Sequence, residues 1–260
     1  MMTKQQFDKG IAYAEDNFLN DEAAHLKVDK QLIAQLFDLT GKRVMDFGCG
    51  MGGMTLWYAR QWDCQVYGYD IDGHHMQIAQ ELKKTHQANR VTFAQRNILT
   101  DPIKEEERFD VIFMNDVAEH IELPILEQVF RQMSIALKPG GRLFVSYPPW
   151  RSPYASHVTH AVKIPWCQFL PGGLLHRLIE KNNEELVGEL ESDLVSAYYG
   201  LNHLTHSKLM SVLNDLPLEI TYRKSHSFIN RYSALEQVNL RVFPLDFLVT
   251  KEFLVLQKLS

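Results

Sequence analysis

The chain has 260 residues, 45% of them hydrophobic, and a formal net charge of −5. That is enough apolar material for one large core, or for a core with a cap. The acidic balance and lack of a long basic run exclude the electrostatic footprint of a nucleic-acid binder, and no run of about 18 apolar residues marks a membrane-spanning helix. The start, MMTKQQFDKG, lacks the apolar stretch of a signal peptide. Three cysteines, Cys49, Cys64 and Cys167, have no metal-type spacing. They suit a reducing cytoplasm rather than a disulfide framework.

Phe7, Ile11, Ala14 and Phe18 recur at helical spacing, and Leu32, Leu36 and Phe37 mark a second helix. Arg43–Phe47 is a short apolar run that stops at a glycine cluster, as a buried strand does. A helix is predicted from about Met54 to Gln61. Gln65–Tyr69 is the next strand, stopped by Asp70 and Asp72. From Gly73 to His86, Met76, Ile78, Ala79 and Leu82 form one face of an amphipathic helix. Val91–Ala94 and Phe109–Met114 are a third and a fourth strand. Pro124 opens a helix carried by Ile125, Leu126, Val129, Phe130, Met133 and Leu137, and Pro139-Gly140-Gly141 ends it. Leu143–Tyr147 is a fifth strand.

After Tyr147 the texture changes. Residues 148–200 are rich in Trp, Tyr, His and Pro and read as a cap inserted over the sheet. A helix then resumes over Thr205–Leu213, with Thr205 as its N-cap, and Leu218–Arg223 and Phe253–Gln257 close the fold as strands. Alternating strands and helices imply an α/β fold with helices on both faces of a mostly parallel, seven-stranded sheet.

The most informative segment follows the first strand. Gly48, Gly50, Gly52 and Gly53 place four glycines in six positions, more than a plain turn needs. Glycines there permit a tight turn and close approach of a ligand to the backbone. Gly48, Gly50 and Gly53 satisfy G-x-G-x-x-G, the dinucleotide pattern, with the acid Asp70 about twenty residues on. On this loop alone a nicotinamide or flavin enzyme stays open.

The same segment resembles motif I of the class I S-adenosylmethionine (SAM)-dependent methyltransferases, acid-x-G-x-G-x-G, with Asp46, Gly48, Gly50 and Gly52 in register. Asp70 matches the acid that ends the second strand and holds the ribose. Asn97-Ile98 matches the pair beside the adenine. Phe109–Val117 resembles the fourth strand and its cofactor-facing end, and Leu137–Leu143 the turn before strand five. The resemblance covers roughly residues 40–147. It implies a Rossmann-like sheet and SAM as methyl donor. The contacts it implies are Asp46, Phe47, Gly48, Cys49, Gly50, Gly52, Asp70, Ile71, Asn97, Ile98, Asn115, Asp116 and Val117. It divides the chain into an N-terminal helical segment (1–40), the SAM-binding core (41–147), the cap (148–200) and the completion of the sheet (201–260). The implied reaction is methyl transfer to oxygen or nitrogen of a small-molecule acceptor. A SAM-binding protein without turnover and an NAD(P)-linked oxidoreductase are the alternatives.

The chemistry agrees. A sulfonium with an adenosine and an amino-acid tail suits carboxylates better than a phosphate site. Asp70 can accept both ribose hydroxyls, and Asp46 either orders the loop or meets the amino group. On the acceptor side, His157, His160, His120 and Tyr147 are the catalytic candidates. In a helical turn Asp116, Glu119 and His120 would share one face. That run is similar to one in quinone-biosynthesis O-methyltransferases, where two acids and a histidine bind metal. Here the first acid is Asp, and the preferred role is to shape the substrate pocket, with no metal assigned. Trp166 is expected to pack the cap. The apolar run around Phe169, Leu170, Leu174, Leu175, Leu178 and Ile179 is expected to be a lid. His203 and His206 are read as surface or packing residues. No feature of the sequence defines an oligomeric state.

Overall fold

The computed structural model describes residues 2–183, 194–232, 235, 238–240 and 243–259. In chain order the elements are α1 (Lys4–Leu19), α2 (Lys27–Leu36), β1 (Arg43–Phe47), α3 (Gly53–Gln61), β2 (Gln65–Asp70), α4 (Gly73–Thr85), β3 (Val91–Gln95), β4 (Phe109–Asn115), α5 (Leu123–Ala136), β5 (Leu137–Tyr147), α6 (Thr159–Val162), α7 (Gly172–Asn183), α8 (Leu194–Tyr199), α9 (His206–Leu213), β6 (Leu218–Ser227) and β7 (Val249–Lys258). The strands form one seven-stranded sheet in the order β3-β2-β1-β4-β5-β7-β6, mostly parallel with an antiparallel end.

β1 has the bounds its sequence predicts, but β6 and β7 run well past theirs. β5 departs most. It begins at Leu137, directly after α5, and carries Pro139-Gly140-Gly141 within it, where the pattern predicts only a helix stop. Pro139 and Gly140 are exposed there, and Gly140 bends the chain at φ +71°, so the missing proline N–H leaves no buried acceptor without a partner.

The chain divides into two compact units. The first comprises Met1–Asn115, Arg131–Phe144 and Gln257–Ser260. Within it β1 pairs in parallel with β2 and β4, and β2 with β3. Val44 and Met45 are wholly buried between them, as central parallel strands covered on both faces require. Tyr58 of α3 stacks on Phe113 of β4, centroids 4.4 Å apart. α1 starts with a capping box between Thr3 and Gln6 and buries Gly10, Ala14 and Phe18. It lies so close to the start of α3 that a Cβ at Gly53 would stand 2.6 Å from the Ala14 carbonyl oxygen.

The second unit comprises Asp116–Phe130 and Val145–Leu256. Val158, Cys167, Leu175, Ile179 and Leu194 form a small core of its own, with Trp150, Leu170 and Leu178 packed against it. Part of the apolar run expected as a lid is therefore interior, while Phe169 and Leu174 stay half exposed. Trp166, expected to pack the cap, is half-buried outside this small core and donates its indole N–H toward the Arg151 and Phe247 carbonyls. Thr205 caps α9 by accepting from the Lys208 N–H. Among the described residues no helix is long and apolar enough to cross a membrane.

Candidate functional site

In the first unit, the loop after β1 is held by its own backbone. The Gly48 and Cys49 N–H groups donate to the Tyr69 carbonyl at 2.8 and 3.1 Å, Gly52 N–H donates to Cys49 O at 3.0 Å, and Gly50 N–H donates to Asp70 Oδ2 at 2.8 Å. A pyrophosphate cradle needs such N–H groups aimed at the ligand. Here these four are already engaged, which argues against the dinucleotide reading. Gly52 sits at φ +84°, and a Cβ there would stand 2.5 Å from the Phe93 ring, so both conformation and space demand glycine. At Gly50, φ +51°, a Cβ would meet nothing within 4 Å, so this backbone borders open space.

Asp70 ends β2 with Oδ1 accepting from Asp72 N–H at 2.9 Å and Oδ2 accepting from Gly50 N–H. Each oxygen retains acceptor capacity for a hydroxyl. The neighbouring Ile71 is 69% exposed, an apolar face beside an acid. Asn97 is exposed and caps its own turn, its side-chain oxygen accepting from Leu99 N–H, while Ile98 is buried. Phe47 and Cys49 are half-buried, and burial pushes the Cys49 thiol well up. Asp46 is buried and accepts from Thr55 Oγ at 2.6 Å; burial pushes its carboxyl up to about 7. That bond ties the end of β1 to α3. Asn115 closes β4 with its amide donating to the Tyr58 hydroxyl at 2.8 Å.

In the second unit, Asp116 takes φ +51° and His157 φ +57°, conformations uncommon for residues with a Cβ and concentrated at functional sites. Asp116 N–H donates to Ser146 O, and its Oδ2 accepts from Lys251 Nζ at 2.6 Å. Asp116 lies before the 3-10 turn Ala118–His120 with a left-handed backbone, and its carboxylate pairs with Lys251, so it does not join Glu119 and His120 in one cluster as a helical turn would have it. His157 takes that place. Glu119, His120 and His157 bring ligand-type atoms within 4.8 Å of one another, and among the described residues no other such group forms. Asn202 clamps the turn, its backbone N–H donating to Glu119 O and its amide to Ala118 O and Ile121 O. Val117 is half-buried.

Glu119 is 3% exposed, and among the described residues neither of its carboxylate oxygens has a hydrogen-bond partner. His157 Nε2 is 3.7 Å from Oε1, beyond hydrogen-bond range. Burial, then the nearby Asp116 charge, pushes the Glu119 carboxyl well up.

Tyr147, the last residue of β5, is wholly buried and donates its hydroxyl to Glu252 Oε2 at 2.8 Å. The same oxygen is 3.0 Å from His206 Nδ1, and Arg223 Nη2 lies 3.8 Å from Oε1. Burial opposes ionisation of Glu252, but the His206 and Tyr147 hydrogen bonds and the Arg223 charge overcome it and hold the carboxyl below its usual range. His206 is thus neither a surface nor a packing residue, as its sequence neighbourhood suggests. The sequence reading missed Glu252; the signal that could have found it is an acid directly before the apolar run Phe253–Leu256. His203 does pack, its ring stacked 3.9 Å from Trp150. His160 lies in α6, with its side chain outside the described residues.

The architecture is that of the class I SAM-dependent methyltransferases. The structure aligns with geranyl diphosphate C-methyltransferase from Streptomyces coelicolor A3(2), solved with Mg2+, a thiolodiphosphate analogue and S-adenosylhomocysteine (14% identity, TM-score 0.58, 90% of this chain and 76% of that one). It also aligns with magnesium protoporphyrin IX methyltransferase from Synechocystis PCC 6803 with bound S-adenosylhomocysteine (16% identity, TM-score 0.54, 99% and 88%). Residues 21–206 match the family described as "Methyltransferase domain", and the chain belongs to that family. In sequence it is 29% identical over 121 residues to methyltransferase GfsG of Streptomyces halstedii (46% of this chain, 42% of that protein). It is 25% identical over 146 residues to phosphoethanolamine N-methyltransferase of Plasmodium falciparum (55% and 53%). The matches thus span about half the length of these curated relatives or less.

Proposed function

We propose that this chain binds SAM through its first unit and transfers the methyl group to oxygen or nitrogen of a small molecule, in the cytoplasm. The observation that carries the proposal is the Gly50–Asp70 contact. It places an acid with remaining acceptor capacity against a glycine backbone that borders open space. Relatives named for phosphoethanolamine, geranyl diphosphate and a porphyrin support a metabolite-sized acceptor. The free cysteines Cys49, Cys64 and Cys167 support a reducing compartment.

When bound, SAM supplies an electrophilic methyl group on a sulfonium. Asp70 accepts the ribose hydroxyls, and Ile71, Asn97 and Ile98 lie against the adenine. Gly48, Cys49 and Gly50 let the backbone approach, with Phe47 and Gly52 shaping the turn. Asp46 orders the loop through Thr55, and Asn115, Asp116 and Val117 lie at the cofactor-facing end of β4. The cap is taken by residues 148–183 and 194–200, residues 184–193 lying outside the described residues, and its His157 meets Glu119 and His120 to line the acceptor. Transfer at carbon demands mainly alignment and dehydration, which a cap supplies.

Calorimetric titration with SAM, followed by mass-spectrometric detection of S-adenosylhomocysteine over a panel of small amines, phenols and carboxylic acids, tests this reading. Saturable binding with product formation is expected. No binding at saturating SAM would overturn it, and binding without turnover would reduce the chain to a SAM-binding module.

A further inference from the structure

We propose that His206 is the general base of this reaction, held in its working tautomer by Glu252 and, through Glu252, by Tyr147. The inference rests on the methyl transfer proposed above and adds the residue that receives the acceptor's proton.

A histidine acts as a base when one ring nitrogen presents a lone pair and the other is pinned. His206 Nδ1 lies 3.0 Å from Glu252 Oε2. An ionised carboxylate only accepts, so the hydrogen of the neutral ring resides on Nδ1 and the lone pair on Nε2. Among the described residues Nε2 has no hydrogen-bond partner, and the side chain is 29% exposed, open to an incoming acceptor. Glu252 is 5% exposed and is faced by Tyr147 from β5, His206 from α9 and Arg223 from β6. These contacts fix the carboxylate, and the carboxylate fixes the ring. His157 Nε2, by comparison, stands 3.7 Å from Glu119 Oε1, beyond hydrogen-bond range.

The location agrees. Tyr147 is the last residue of β5, and open α/β sheets take their ligands at the carboxyl ends of strands. Thr205 caps α9 and fixes the backbone from which His206 projects.

In the step, Nε2 removes the proton from the acceptor oxygen or nitrogen while the acceptor's electron pair forms the bond to the methyl carbon. The carbon–sulfur bond breaks and its electron pair stays on sulfur. The products are the methylated acceptor, S-adenosylhomocysteine and a His206 imidazolium, which Glu252 stabilises until solvent takes the proton. His206 is the catalytic residue; Glu252 and Tyr147 are positioning residues.

Two measurements on the full chain test this. The first needs no acceptor: long-range proton–nitrogen NMR of the imidazoles with S-adenosylhomocysteine present. The Nδ1–H tautomer is expected at His206 and is expected to disappear in Glu252→Gln. An Nε2–H ring in the unsubstituted protein overturns the proposal. The second uses whichever amine, phenol or carboxylic acid of the panel yields S-adenosylhomocysteine. His206→Asn should lower kcat by about 10²–10⁴-fold with SAM affinity unchanged, and should erase the acid limb of the pH profile. Added imidazole should restore at least about tenfold of the activity lost in His206→Gly, a rescue that a structural role does not permit. Tyr147→Phe should lower kcat several-fold and leave the limb in place. Full activity in His206→Asn, or lost activity that imidazole does not restore, overturns the assignment. If SAM binds and no panel member turns over, the proposed reaction fails for these acceptors, and the tautomer alone decides the case of His206.

Discussion

Two equally buried acids, Asp46 in the first unit and Glu119 in the second, are treated in opposite ways. In the first, Asp46 is bonded to Thr55, and both oxygens of Asp70 accept backbone N–H groups. In the second, Glu119 is as deeply buried as Asp46 and, among the described residues, has no hydrogen bond on either oxygen. A satisfied buried acid rigidifies its surroundings, whereas an unsatisfied one costs roughly 1–3 kcal/mol or more for the missing partner. The proposed cofactor side is therefore organised before ligand arrives. The proposed acceptor side keeps an unmet demand that a ligand can meet.

Substitutions can break this contrast. The largest effect is expected from Gly52→Val, which adds a side chain 2.5 Å from Phe93 at a left-handed φ. A loss of about 3–5 kcal/mol by urea unfolding, together with loss of SAM binding, is expected. Near-normal stability would mean the loop is softer than its hydrogen bonds imply. Next is Asp46. Its folded carboxyl titrates at about 7 against an ordinary 3.8, so the folded state holds a proton that the unfolded chain has released. Its favourable contribution is complete below about pH 4 and is lost as pH rises through about 7. Asp46→Asn should flatten the decline in stability between pH 5 and 8 by up to roughly 3 kcal/mol, and an unchanged slope would remove Asp46 as its source.

Asp70→Ala should weaken SAM at least about tenfold, near 1.4 kcal/mol, by calorimetry, with the fold intact by circular dichroism. Unchanged affinity would take Asp70 out of the site. The smallest expected change has the opposite sign. Glu119→Gln should raise stability at pH 8 by about 1 kcal/mol, because it removes an acid whose ionisation burial opposes, and should lower turnover. Destabilisation there would mean that Glu119 has a partner after all and would collapse the contrast between the units.

Much of the first unit was legible from sequence because its information is local. A glycine run after an apolar strand, and an acid at the end of the next strand, are signals within a short stretch of chain. The proposed acceptor side draws on long-range pairings that spacing does not encode. Asp116 reaches Lys251, Tyr147 reaches Glu252, and Glu252 reaches His206. The turn at Ala118–His120 also misled: helical spacing joins Asp116 to Glu119 and His120, whereas the left-handed Asp116 backbone sends its side chain to Lys251 and lets His157 approach instead. The full lengths of β6 and β7 were hidden for a similar reason, since much of β6 is only partly buried and shows no clean alternation.

β7 delivers Lys251 to Asp116 and its neighbour Glu252 to Tyr147 and His206, on opposite faces of the strand. A slip of one residue would exchange the two faces: in one direction Glu252 would meet the like charge of Asp116 and Phe253 would stand at His206, and in the other Asp116 would lose its cation to Thr250 and Lys251 would replace the carboxylate that His206 and Tyr147 share. Correct seating of a strand near the end of the chain is thereby enforced twice, and a misregistered molecule carries its own penalty against persisting as an inactive copy.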